Sequence, residues 1–410
     1  MKNKFAYQCI NCGKIIETDD IIYLCPDCSR QNSDTSPPKG VLKTIYDYES
    51  LKKKFQFDKF WESNFLALLP IKMEKSLAKL RVGKTPLYRI DKLDNEKLDC
   101  ELLLKDDSQN PTFSYKDRAS NLVSAFAKEN NINKIITAST GNAGSSLAGI
   151  CASQNQKAII LVPAKAPKAK LTQILMYGAS IVPVAGTYDD AFDLSLKATR
   201  EFGWYNRNTA FNPFTIEGKK TVSYEIFHQL SSNIPDRIFV PVGDGVIISG
   251  VYKGFEDLLK LNLTNKIPEI IAVQSHKSAN IVKNLNSEKF KSHPSNTIAD
   301  SIAVDIPRNF YMVKTYLKQY NGSGLLVSDE EILKASKKLS QNTGIFSEPA
   351  AAASFAGFIK YKQENKLEKN SKNVILLTGS GLKDLQAVKN QIHIPEAIKP
   401  DLDSLLRLIE

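Results

Sequence analysis

Four cysteines stand within the first 28 residues as two Cys-x-x-Cys pairs, Cys9 with Cys12 and Cys25 with Cys28. Each pair can form a turn that aims two thiolates at one cation, and the gap between them suits a short hairpin closing a tetrahedral site. The pattern predicts a zinc-ribbon-like knuckle over residues 1–34, against the blander alternative of four reduced thiols without metal. A redox role is disfavoured, because the βαβ setting of redox Cys-x-x-Cys motifs is missing here. Further along, four polar loops each follow a short apolar run. In residues 106–118 the loop enters a helix with Lys116 in its first turn, where the helix dipole opposes the ammonium and favours the neutral amine that a Schiff-base lysine needs. A lysine between tyrosine and aspartate is otherwise an ordinary solvated residue. Ser139, Thr140, Gly141 and Asn142 place hydroxyls, an amide and exposed N–H groups at a strand-to-helix turn, a nest for a carboxylate or, more simply, a capped turn. Gly243, Asp244, Gly245, Val246 and Ile247 open a helix in the way that phosphate-cradling loops do. Thr378, Gly379, Ser380 and Gly381 again put hydroxyls and glycines at a strand end. Converging, the four loops would make one site with a lysine, an anion nest and neutral hydroxyls.

Such convergence requires a scaffold that delivers loops to one edge. Apolar runs at 101–105, 134–138, 158–162, 180–184, 237–242, 269–274 and 373–377 predict strands, and the stretches 116–130, 144–154, 167–177, 187–202, 218–232, 249–261, 328–342 and 348–365 predict helices. Alternating strands and helices imply an α/β fold whose mostly parallel sheets are flanked by helices on both faces, with ligands at the carboxyl ends of the strands. A Ser/Pro-rich stretch at 33–38 separates the cysteine knuckle from the rest.

The chain has 410 residues, 42% hydrophobic and 24% charged, which excludes a disordered scaffold. Lys plus Arg number 55 against 44 for Asp plus Glu, a formal charge of +11, but the lysines are spread among acidic residues without an Arg-rich or aromatic-interleaved tract. Nucleic acid is therefore not an expected partner. No run approaches the ~18 apolar residues of a membrane span, and the start leads into cysteines rather than an apolar signal core, so a cytoplasmic protein is expected. Cys100 and Cys151 sit in apolar surroundings as core residues, and His228, His276, His293 and His393 have no spaced metal partners.

Taken in order, several motifs resemble those of threonine synthases, which belong to the tryptophan-synthase-β-like, fold type II pyridoxal-phosphate enzymes. They are Gly83-Lys84-Thr85-Pro86, residues 110–118 around Lys116, Ser139-Thr140-Gly141-Asn142, Asn212-Pro213-Phe214 with 217–221, the glycine loop at 243, Glu348-Pro349-Ala350 and Thr378-Gly379-Ser380-Gly381-Leu382-Lys383-Asp384. The resemblance spans about residues 80–390. It implies two open, mostly parallel sheets, with a large cofactor domain from 35–116 and 205–410 and a small mobile domain over 117–204. It implies that Lys116 carries pyridoxal 5'-phosphate through a Schiff base, that Asn142 hydrogen-bonds the cofactor's phenolic oxygen, and that main-chain amides of residues 243–247 hold its phosphate. Thr378 would face the pyridine nitrogen, and Ser139, Thr140 and Gly141 would grip the substrate carboxylate. The implied activity is conversion of O-phosphohomoserine and water to threonine and phosphate, with a small amino-acid phosphate as substrate. A homodimer is implied by fold analogy alone.

Some positions depart from the family pattern. Phe113 stands where glycine is common and Tyr115 where phenylalanine is. Asp244 would repel a phosphate unless its side chain turned away. Many threonine synthases have an arginine soon after the Asn-Pro that helps bind the substrate's phosphate, and here Thr215 takes its place, leaving Lys219, Lys220, Arg308 and Lys383 as available cations. Two further readings stand beside threonine synthase. One is a hydroxyamino-acid dehydratase or O-phosphoserine β-replacement enzyme of the same fold, and the other is a non-catalytic cofactor binder using its zinc knuckle as an interaction module. Joint retention of Lys116, Asn142 and Thr378 argues against the last. Glu348 is expected as a helix cap rather than an acid catalyst, although its place in the family pattern puts it near the cofactor, and Asp117 and Arg118 are expected as a locally paired helix start.

Overall fold

A computed structural model describes residues 3–409. Strands β1 (Ala6–Cys9) and β2 (Ile15–Ile16) form a hairpin, and β3 (Leu42–Ile45) pairs antiparallel with the other side of β1. The sheet under the cysteines therefore takes its third strand from beyond residue 34. So short a hairpin is marginal by itself, and β3 adds ladder bonds and the buried side chains of Leu42 and Thr44.

Strands β4 (Leu87–Leu93) and β5 (Glu96–Asp106) then form an antiparallel pair. The chain crosses to a smaller, wholly parallel sheet made by β6 (Lys134–Ala138), β7 (Lys157–Pro163), β8 (Ser180–Val184) and β9 (Tyr205–Asn206), in the order β8-β7-β6-β9. It returns through β10 (Arg237–Pro241), β11 (Glu269–Ser275), β12 (Ser323–Val327) and β13 (Lys372–Leu377). These join the first pair as β12-β11-β10-β13-β5-β4, parallel except for β4 at the edge. The central strands read Ile-Phe-Val, Ile-Ile-Ala-Val and Val-Ile-Leu-Leu because helices cover both faces, and every one of those side chains is fully buried. The α/β class and the two mostly parallel sheets are as expected.

Differences fall at the edges. Strand β4 exposes adjacent polar pairs, Tyr88-Arg89 and Asp91-Lys92, and β12 contains Gly324, both weak strand signals that pairing overrides. Strand β9 lies just past residue 204, so the smaller sheet reaches Asn206. The stretch expected as one helix over 218–232 is two, Phe214–Lys219 and Thr221–Gln229, and the helix expected at 249 starts earlier as Val246–Lys260. Among the described residues, no helix is long and apolar enough to cross a membrane.

Candidate active site

Helix Lys116–Glu129 emerges from a loop stitched to the end of β13. The Tyr115 N–H donates to the Thr378 carbonyl at 2.9 Å, and the Ser380 N–H donates to the Phe113 carbonyl at 3.1 Å. The buried Tyr115 hydroxyl donates to the Lys219 carbonyl at 2.6 Å. The segment after β13 and the Lys219 backbone thus fix the loop that carries Lys116. Phe113 sits in this loop at φ +66°, the left-handed region that glycine enters without strain. Its ring turns outward, 47% exposed, at the mouth of a second cavity shared with Asn142 and Glu348.

One cavity of about 590 Å³ is lined by Lys116, Ser139, Thr140, Gly141, Asn142, Gly243, Asp244, Gly245, Val246 and Ile247 together. Its size lies within the ~300–1,000 Å³ of small-molecule sites. Of the residues expected to hold the cofactor or the substrate carboxylate, Thr378 alone is outside this lining. It is buried at the end of β13, behind Tyr115.

The Lys116 amine has no hydrogen-bond partner among the described residues. Burial, and then the Arg207 guanidinium, bring its pKa from 10.5 down to about 8 against the pull of Glu348 and Asp244. The direction is the one expected from the helix start, but burial is the main cause. Asn142 Nδ2 donates to both carboxylate oxygens of Glu348, at 2.9 and 3.0 Å, and to Ser301 Oγ at 3.3 Å. Glu348 therefore corrects the expectation of a side-chain cap and keeps the alternative of a place beside the cofactor residues. Its backbone occupies the N-cap of helix Pro349–Gln363, yet its side chain caps nothing and faces Asn142. Burial raises its pKa, with Asn142 and Lys116 opposing.

The glycine loop is built for close approach. Gly245 has φ +88°, and a Cβ on Gly243 would lie 2.8 Å from the Ile302 backbone. Helix Val246–Lys260 starts without a side-chain cap, as does Asn142–Ser153, so both present free N–H groups to an anion. The Asp244 carboxylate accepts from the Arg308 N–H at 2.7 Å, which ties it to the neighbouring loop.

Arg118 does not pair locally as expected. Its guanidinium spans Asp107 at 2.6 Å and Glu225 at 2.5 Å, while Asp117 accepts from Thr112 N at 2.7 Å. Sequence reasoning missed Ser301 and Arg207, since neither stands in a motif that marks it. At the other end of the chain, the sulfurs of Cys9, Cys12, Cys25 and Cys28 all lie within 4.8 Å of one another, Cys12 and Cys25 at 3.9 Å. A tetrahedral zinc with ~2.3 Å bonds sets its sulfurs about 3.8 Å apart, so this donor set fits that ion.

A model of the pyridoxal-phosphate dependent enzymes matches residues 78–379. The chain belongs to that family. Among members of the pyridoxal-phosphate dependent enzymes, it is 35% identical to threonine synthase of Methanocaldococcus jannaschii over 98% of this chain and 99% of that protein. It is 33% identical to threonine synthase of Methanosarcina acetivorans over 99% of this chain and 98% of that one. The fold is likewise shared: threonine deaminase isoform 2 of Solanum lycopersicum superposes with a TM-score of 0.67 at 24% identity, covering 83% of this chain and 95% of that one. Serine racemase of Dictyostelium discoideum gives 0.64 at 25% identity over 80% and 98%. An unpartnered lysine amine, an uncapped helix start with a glycine cradle, and amide and hydroxyl donors around one cavity fit pyridoxal phosphate.

Proposed function

We propose that this chain is a pyridoxal-phosphate-dependent threonine synthase, a carbon–oxygen lyase converting O-phosphohomoserine and water to threonine and phosphate. The single observation that carries the assignment is the gathering of Lys116, the 139–142 turn and the 243–247 loop around one cavity, in a chain that matches curated threonine synthases along nearly their whole length.

Lys116 would hold the cofactor, with the main chain of Gly243, Asp244, Gly245, Val246 and Ile247 on its phosphate, Asn142 on its phenolic oxygen and Thr378 at its ring nitrogen. When bound, the cofactor supplies an electron sink for the bond to the substrate's α-proton. Ser139, Thr140 and Gly141 bind the substrate carboxylate through hydroxyls and the open helix start. Once displaced by the substrate amine, the Lys116 amine takes the proton from Cα, and the same group serves proton transfer at Cβ. Phosphate departs from Cγ, Cγ takes up a proton to become the methyl group, water adds its hydroxyl at Cβ, and Cα regains its proton. A pKa of about 8 keeps an appreciable neutral fraction of this amine near neutral pH. The unit around the smaller sheet, residues 117–204 with its β9 edge, acts as the mobile part whose closure excludes bulk water. The four cysteines hold a structural zinc.

The test compares holoenzyme with a Lys116→Ala variant on O-phosphohomoserine, following phosphate release and amino-acid products. Stoichiometric threonine and phosphate from the wild type alone is the expected result. Consumption of serine or O-phosphoserine instead, with O-phosphohomoserine untouched, overturns it in favour of a dehydratase or β-replacement enzyme.

A further inference from the structure

Thr215, which stands where many threonine synthases have a phosphate-binding arginine, is fully buried, and its hydroxyl donates to the Asn212 carbonyl at 2.7 Å. It offers nothing to the cavity. Three of the four nearby cations already have partners. Lys220 is clamped between Glu217 at 2.5 Å and Asp257 at 2.8 Å. Lys383 donates to Ser145 Oγ at 2.8 Å and to Gln173, in the second cavity. Arg308 lines the main cavity too, but there it is already paired with Asp189 at 2.8 Å and lies over the Phe192 ring at 4.0 Å.

Lys219 alone of the four has no partner for its charge. It lines the main cavity, is fully buried, and its Nζ has no hydrogen-bond partner. A buried lysine amine without a partner carries a large desolvation penalty, and few folded proteins keep one without a ligand to meet it. Its stem is fixed at two points that matter for function. Its carbonyl accepts from Tyr115, next to Lys116, and its Cβ lies against Gly250, 2.7 Å from where a Cβ there would be, on the helix that the glycine loop opens. The amine is thereby held between the Lys116 side of the cavity and the glycine loop.

We infer that Lys219 binds the phosphate group of the substrate, taking the role that Thr215 cannot fill. The inference rests on the threonine synthase reading and names the residue that recognises its leaving group. The glycine loop and uncapped helix start provide main-chain donors for the cofactor's phosphate, while the substrate's phosphate needs a cation of its own. The groups facing Lys219 are Lys116, Arg207 and Asp244; burial and then the two like charges push its pKa down, so an arriving phosphate dianion supplies the missing counter-charge and draws a proton onto the amine.

The test uses holoenzyme and Lys219→Met, a neutral side chain of similar length, with Lys219→Arg as the charge-preserving control. Three quantities are read: cofactor retained after dialysis, from its visible absorbance; direct binding of inorganic phosphate by calorimetry; and kcat and KM for O-phosphohomoserine. Loss of one charge-assisted contact predicts phosphate binding about 10- to 100-fold weaker and KM raised by a similar factor, with cofactor retention unchanged and Lys219→Arg restoring most of the binding. Lys219→Met chains that shed cofactor on dialysis while keeping phosphate affinity would overturn the inference, placing Lys219 on the cofactor's phosphate instead. Unchanged phosphate binding and KM would overturn it outright. Phosphate binding needs no turnover, so an inactive wild type that still binds phosphate through Lys219 sinks only the proposed reaction.

Discussion

The reactivity of Lys116 is set by its surroundings and can be measured before any substrate is added. Burial and the Arg207 guanidinium place its pKa at about 8 instead of 10.5. At pH 7.5 roughly a quarter of the chains then carry the neutral amine, against about 0.1% for an unperturbed lysine, a gain of some two hundredfold in the nucleophilic form. Cofactor-free enzyme mixed with pyridoxal phosphate forms the Schiff base at a rate proportional to that fraction. The rate is followed by visible absorbance across pH 6–11 and divided by that of Nα-acetyl-lysine, which removes the cofactor's own titration. The ratio is expected to hold a plateau of about 300 below pH 8 and to fall towards one between pH 8 and 10.5, as the free lysine catches up. Arg207→Met removes a cation and moves the midpoint upward. Glu348→Gln removes an anion and moves it downward. A ratio that stays flat with pH, or a midpoint that falls on removing Arg207, would refute the account.

Other consequences are directly measurable. Phe113→Gly relieves a left-handed backbone at φ +66° and should stabilise the fold by up to about 1 kcal/mol in urea melts, since ~1–2 kcal/mol of strain exceeds the extra chain entropy of glycine; a loss of stability would show that the ring packs usefully at the cavity mouth. Glu225 accepts from Lys105 and Arg118, whose charges hold it well below the usual carboxylate range despite burial. Its stabilisation is present above pH 4.5 and is lost as pH falls below that value. Glu225→Ala, which leaves buried Lys105 without a carboxylate and Arg118 with Asp107 alone, should cost about 3–5 kcal/mol near pH 7 and less in acid, as seen in denaturant titrations. Metal analysis should find one zinc per chain, absent in Cys12→Ser. Because Tyr23 of the knuckle accepts from Asn206 N–H at 3.0 Å and stacks on Phe211 at 4.5 Å, stripping zinc should also lower the melting temperature.

What could be read from the sequence depended on whether one residue type implied one role. The runs around Ile135, Ile159 and Ile238 are apolar on both faces, which only a covered parallel strand explains, and the loops after them could be searched for chemistry. The glycine loop was visible because glycine at 243 and 245 has few other uses beside a helix start. Strands β4 and β12 were hidden, since half-exposed charges and a glycine carry little strand preference without a partner strand. Arg118 and Glu348 misled for a common reason. Each sits at a helix start, where the nearest explanation is local, while its actual partners, Glu225 and Asn142, are more than a hundred residues away in the chain. Lys219 gave a weaker signal still, one lysine among many, because a buried amine differs from a surface one only in what surrounds it.

The charges around the cavity suggest why these cations are spared their usual partners. Arg207 is fully buried, yet it bonds Ser120 at 3.1 Å, Thr209 at 3.0 Å and the Lys116 carbonyl at 3.5 Å, and has no carboxylate among the described residues. Lys116 and Lys219 are also without partners, and the nearby acids are held in other contacts, Asp244 by the Arg308 N–H and Glu348 by Asn142. In the network around Glu225 and Asp257, by contrast, buried lysines and arginines meet carboxylates directly. A fold able to neutralise buried cations so well in one place has left them unneutralised in another. Unpaired, they weaken one another's hold on protons, which keeps Lys116 reactive. They also leave an excess of positive charge that only anionic ligands can balance, as a reaction bringing together a phosphorylated cofactor and a phosphorylated substrate requires.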